Sequence, residues 1–161
     1  MRLKASWLRH VLLLKQSKRS EIWVAVGDQG VGKTSTVEGM KDELEAAGLK
    51  VTTKPAIGFD VWIVDDGGRF FSKRFWASKV GKTISRFIQI IRTLFTLTII
   101  TVPDLDMLDI SIRESGIVEV VRVVSPGLAI WREPIVVTPR WQDESWREKY
   151  VDELEAVLEE I

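Results

Sequence analysis

The chain contains no cysteine, one histidine and one tyrosine in 161 residues. Without cysteine it has no disulfide scaffold, no thiolate metal site and no cysteine nucleophile. Long apolar runs are also missing. Val11-Leu12-Leu13-Leu14 is too short for a signal-peptide core and has basic residues on both sides. Phe87–Val102 is shorter than a membrane-spanning helix and is interrupted by Gln89 and Arg92. There is no internal repeat and no low-complexity linker. The expectation is a soluble, cytoplasmic protein with no membrane partner, folded as a single domain over residues 1–161.

An excess of one charge is lacking too, with 23 Lys plus Arg against 23 Asp plus Glu. Neutrality by itself argues against a polyanionic partner, but the charges are segregated. Residues 1–20 hold six cations and no acid, and 67–103 hold seven more with no acid. From Asp143 onward there are eight acids and two bases. The chain therefore reads as a basic N-terminal helix or arm over 1–20, a basic middle and an acidic C-terminal helix over 141–161. Regional charge, not the total, governs partners. His10 lies alone in the basic arm and is assigned no catalytic role.

What is present is an alternation of strand and helix patterns. Residues 5–16 have the apolar spacing of a short amphipathic helix. Glu21–Val26 (EIWVAV) reads as a strand buried on both faces. A glycine-rich turn leads into a helix with Val37, Met40, Leu44 and Ala47 on one face, closed by Gly48. Further strands are expected at Leu49–Thr53, Asp60–Val64 and Thr96–Val102, with a helix from about Phe75 to Arg92 and a short one over Asp104–Glu114. Ile117–Val124 and Leu128–Val137 flank Ser125-Pro126-Gly127 and are expected to pair as a hairpin. The fold class is α/β with a mainly parallel sheet, a C-terminal β-hairpin and a final helix. Of the seven tryptophans, Trp23 and Trp62 fall in central strands and are assigned to the core.

The most specific pattern is Gly27-Asp28-Gln29-Gly30-Val31-Gly32-Lys33-Thr34-Ser35. It satisfies G-x-x-x-x-G-K-[ST], with a strand before it and a helix after it, as the motif requires. Glycine lets the backbone curl its N–H groups around an anion, and the new helix adds its positive end at the same point. Lys33 is placed to reach the β- and γ-phosphates of a nucleotide, and Thr34 to ligate Mg2+. A second tetrapeptide of the same kind, Val80-Gly81-Lys82-Thr83, has Trp76 where the first glycine should stand and is read as helix surface.

Val61–Val64 then delivers Asp65 and Asp66 to the C-terminal end of a strand, the edge where open α/β sheets bind ligands. Asp65 is a candidate metal ligand through water, and Asp66 a candidate to polarise an attacking water.

Strand, phosphate loop and an apolar strand ending in paired acids together resemble the P-loop ATPases that carry an additional strand between the two Walker strands. More narrowly, the layout is similar to the HerA/FtsK-type and Zot-like ATPases of archaeal and phage replicons. There an acidic pair is followed by aromatic and basic residues, a helix ending in Arg, a strand ending in a polar sensor and a Leu-Asp-x-x-x-Arg segment. The counterparts here are Asp65-Asp66, Arg69-Phe70-Phe71, Arg92, Thr101 and Leu108-Asp109-Ile110-Ser111-Ile112-Arg113. The resemblance covers about residues 20–140. It implies a three-layer P-loop NTPase sandwich, ATP as substrate with Mg2+, Thr101 sensing the γ-phosphate, and hydrolysis coupled to moving or packaging DNA, usually in rings. Arg113 would be a sensor or an arginine finger to a neighbouring subunit, against the plainer reading of a surface arginine. The families' second acid is normally Glu, whereas Asp66 is one methylene shorter.

Two other readings stay open. Asp65-x-x-Gly68 also fits the D-x-x-G element of GTPase-like or ParA-like switches. The guanine-reading Asn/Thr-Lys-x-Asp is unmatched, because Thr101-Val102-Pro103-Asp104 lacks the lysine, and ATP is favoured over GTP. A nucleotide-binding interaction module with little turnover is the second. DNA contact would fall to Lys79, Lys82 and Arg86, which form one stripe at i, i+3 and i+7. A solvated helix face explains the same stripe. A homo-oligomer is the remaining partner expectation.

Overall fold

The computed structural model describes residues 6–27, 30–54, 56–65, 89–104 and 119–137. Helix α1, Ser6–Gln16, leads to strand β1, Glu21–Val26, and then to helix α2, Lys33–Ala46. Strands β2 (Val51–Thr52), β3 (Val61–Val64) and β4 (Leu97–Val102) follow, with residues 89–94 helical just before β4. Strands β5 (Glu119–Ser125), β6 (Leu128–Ile130) and β7 (Pro134–Val136) complete the described residues. They form one sheet in the order β2-β3-β4-β1-β5-β6-β7. The first five are mutually parallel, and β6 runs antiparallel to both its neighbours, β5 and β7. The α/β class with a mainly parallel sheet is therefore observed. β4 lies between β1 and β3.

Period-two alternation decides which residues meet which helix. Trp23, Ala25, Val61, Ile63, Leu97, Ile99, Val121 and Val123 pack on one face with Trp7 and Val11 of α1 and with Val37, Met40 and Leu44 of α2. Ile22, Val24, Trp62, Val64, Ile100 and Val102 pack on the other face with Ile91 and Phe95. Both faces of the central strands are covered, which is why β1, β3 and β4 read as continuous apolar runs. Trp23 and Trp62 are both core residues.

Local chemistry ends each helix. After α1, Lys18 takes a left-handed φ of 57° and Arg19 N–H reaches back to the Leu14 carbonyl. After α2, Gly48 at φ 92° follows the cap residue Ala47, and Leu49 N–H bonds the Leu44 carbonyl. Leu44 and Leu49 are both buried, the apolar contact that accompanies this kind of stop.

Two expectations require correction. The segment Leu128–Val137 is not one hairpin arm but two strands, β6 and β7, that pair antiparallel with each other. Trp131 N–H bonds the Glu133 carbonyl and closes a turn between them, while the Trp131 ring stacks on Trp23 at 5.1 Å. Pro134 then stands first in an edge strand, where its missing N–H costs no ladder bond. The strand expected at Leu49–Thr53 shrinks to Val51–Thr52 at the opposite edge.

The strand expected from Asp60 starts at Val61, because Asp60 is occupied as a junction. Its carboxylate accepts from Lys50 N–H and pairs with Lys15, and its carbonyl accepts from Thr96 N–H. The lone histidine has a structural setting as well. His10 Nε2 and Trp23 Nε1 both meet the buried Glu21 carboxylate, at 2.9 Å each, fastening α1 to the start of β1. Among the described residues no helix is long and apolar enough to cross a membrane. The short helix expected at 104–114 and the acidic C-terminal helix lie outside the described residues, as does most of the helix expected over 75–92.

Candidate functional site

Parallel strands point their C-terminal ends to one edge, and the candidate residues collect there. Gly27 leaves β1 at that edge, and the chain turns through the phosphate-loop motif into α2. Gly30 and Gly32 have φ of 85° and 101°, the left-handed region that glycine enters without a side-chain penalty. Gly32 is also the N-cap of α2, and no side chain caps the helix there. The first turn carries no acid. The positive end of the helix dipole therefore faces this edge of the sheet with no acidic side chain in the first turn to offset it. Lys33, the first residue of α2, folds back so that its ammonium donates to the Gly27 carbonyl. Its amine therefore spans the mouth of the loop.

The acid-bearing strand reaches the same place by register. Val64 pairs with Ile100 across β3 and β4, so Asp65 lies beside Thr101. Alternation puts Asp65 on the face of Ile63, and Thr101 on the face of Ile99, which is the face that α2 covers. Thr101 donates to Asp65 Oδ1 at 2.7 Å. Thr34 donates to Asp65 Oδ2 at 3.1 Å. One carboxylate is therefore held between two hydroxyls from β4 and α2. These residues line a cleft of about 580 Å³ together with Gly30, Gly32, Lys33, Ser35, Pro103 and Pro126.

The arrangement suits a small hard cation beside an anion. Mg2+ takes oxygen ligands, keeps several waters and is held by one or two carboxylates plus substrate phosphates. Thr34 and Asp65 supply one hydroxyl and one carboxylate, and Lys33 and the start of α2 line the same cleft. Among the described residues no group of three or more His, Asp or Glu side chains could hold a metal alone.

Of the residues singled out by sequence, Gly27, Gly30, Val31, Gly32, Lys33, Thr34, Ser35, Asp65 and Thr101 converge on this edge. Val31 and Gly27 also border a neighbouring hollow with Pro103, Asp104 and Arg122. Asp28, Gln29, Asp66, Arg113 and the basic stripe Lys79, Lys82 and Arg86 lie outside the described residues.

The structure adds residues that spacing did not reveal. Thr36 is wholly buried one turn into α2, and its hydroxyl touches both the phosphate loop and the β5–β6 turn. Pro126 of that turn stands against Gly32 and lines the cleft. Ser125-Pro126-Gly127 was legible as a turn, but its position over the loop depends on β5 pairing with β1. None of the protein families, curated proteins or solved structures with which the chain was compared matches it.

Proposed function

We propose that the cleft binds Mg-ATP and that the protein is a P-loop ATPase of the additional-strand type. The observation that carries this reading is the placement of Asp65 between Thr34 and Thr101 at the mouth of a G-x-x-x-x-G-K-T loop, with β4 inserted between β1 and β3. That insertion is the strand arrangement that the sequence resemblance implies. In this reading loop N–H groups and Lys33 bind the β- and γ-phosphates, and Thr34 and Asp65 hold Mg2+, which neutralises phosphate charge. Thr101 keeps the Asp65 carboxylate turned toward Thr34. Asp66 would orient the attacking water and Arg113 would act in cis or across a subunit interface, both by resemblance. Coupling of hydrolysis to DNA handling belongs to the same proposal and rests on the basic stripe Lys79, Lys82 and Arg86.

Thermal-shift measurements with ATP and GTP side by side, each with Mg2+, test the site. ATP at about 100 times its Kd should add about 2.7 kcal/mol of stability, enough for a clear rise in Tm. Lys33→Ala should abolish the rise. A Lys33→Ala protein with an undiminished shift would place the nucleotide elsewhere, and a larger shift with GTP would favour the switch reading.

A further inference from the structure

Thr36 joins two segments that are 91 residues apart in sequence. A threonine hydroxyl that donates to the carbonyl four residues back is ordinary in helices, and Thr36 does this to Gly32 at 2.9 Å. The same oxygen also accepts the backbone N–H of Gly127 at 2.9 Å. One proton and two lone pairs permit both bonds at once. The Ser125 carbonyl lies further off, at 3.4 Å.

The steric contact repeats the connection. A Cβ on Gly32 would fall 2.7 Å from the Cα of Pro126 and 2.7 Å from its Cγ. The turn between β5 and β6 is therefore pressed directly onto the left-handed residue that ends the phosphate loop. A glycine-rich loop is costly to order, and binding must supply that cost unless the loop is already held in shape.

We propose that the Ser125-Pro126-Gly127 turn braces the phosphate loop, with Thr36 as the positioning residue through which the turn holds the loop in its anion-binding form. This rests on the nucleotide reading of the cleft and assigns a role to residues outside the motif. Thr36 touches no phosphate in this account. It acts through the Gly32 carbonyl, while Pro126 stands against the Gly32 Cα.

The test is Mg-ATP affinity by calorimetry on the full chain, with Tm measured in parallel. Thr36→Val removes the hydroxyl and should weaken binding about tenfold, the equivalent of one buried hydrogen bond. Thr36→Ser keeps the hydroxyl and should stay within about twofold of the parent protein. Pro126→Gly leaves the hydroxyl in place but frees the turn, and should also weaken binding. A residue important only for stability would lower Tm and leave the affinity of the folded protein unchanged, so parental affinity in Thr36→Val overturns the proposal. Thr36→Ser as weak as Thr36→Val overturns it as well. If Thr36→Val does not fold, Pro126→Gly decides, and parental affinity there sinks the brace. Lys33→Ala separates the two levels. Lost binding in Lys33→Ala with parental binding in Thr36→Val removes only the brace, whereas parental binding in Lys33→Ala removes the nucleotide reading itself.

Discussion

At Gly32 two constraints coincide, a backbone that L-residues avoid and a neighbour with no room to give. Its φ is 101°, and Pro126 backbone atoms occupy the space a Cβ would need. Gly30 shares the first constraint, with φ 85°, but nothing lies within 4 Å of its missing Cβ. Gly30→Ala should therefore cost only the left-handed penalty, about 1–2 kcal/mol. Gly32→Ala should add an overpacking cost of about 1–3 kcal/mol. Urea denaturation of both variants measures the difference. Equal losses would mean that the turn yields to the extra methyl and is not pressed against the loop. The motif requires glycine at 32 and leaves 30 open, and the distant turn supplies a steric reason for that difference.

At the scale of elements, α1 shows how an amphipathic pattern becomes a docking face. Trp7, Val11 and Leu14 recur at helical spacing and are buried, while Leu13 is 53% exposed. The basic residues of this segment share the remaining surface, and Lys15 reaches Asp60 at the head of β3. Trp7→Ala should destabilise the domain by about 3–5 kcal/mol, a core tryptophan's worth, whereas Leu13→Ala should stay within about 0.5 kcal/mol. Chemical denaturation followed by near-ultraviolet circular dichroism distinguishes them. Similar effects from both would show that α1 does not dock through its Trp7 face. Strands β1, β3 and β4 were legible because they are apolar on both faces. The split of β6 from β7 was not, since Trp131 continues the apolar run and its stacking partner Trp23 lies more than a hundred residues away.

At the scale of the whole molecule, the sheet formed by the described residues ends in short strands, β2 with two residues and β7 with three. Short edges give little template for pairing with another chain. The segregated charges supply a candidate surface for DNA. If Lys79, Lys82 and Arg86 each neutralise one phosphate of a duplex, log K should fall against log salt with a slope of about −2.7, a loss of roughly 40-fold between about 50 and 200 mM. Fluorescence anisotropy with labelled duplex measures this, and replacing the three residues by alanine should flatten the slope. A salt-independent affinity in the parent protein would remove the phosphate-tracking surface.

The phosphate-loop motif, the Asp65 strand and the apolar strands could be read directly, because local spacing dictates their chemistry. A loop needs glycines at fixed offsets to curl around an anion, and a buried strand needs an unbroken apolar run. Neutral net charge held no information about the site, since the proposed anion binding would use backbone N–H groups and one lysine. What the tertiary structure decided was proximity. Register between β3 and β4 sets Asp65 beside Thr101, and the pairing of β5 with β1 lays Pro126 and Gly127 over the loop. These contacts join residues far apart in the chain. They depend on the order of strands in the sheet, which no local pattern of spacing encodes.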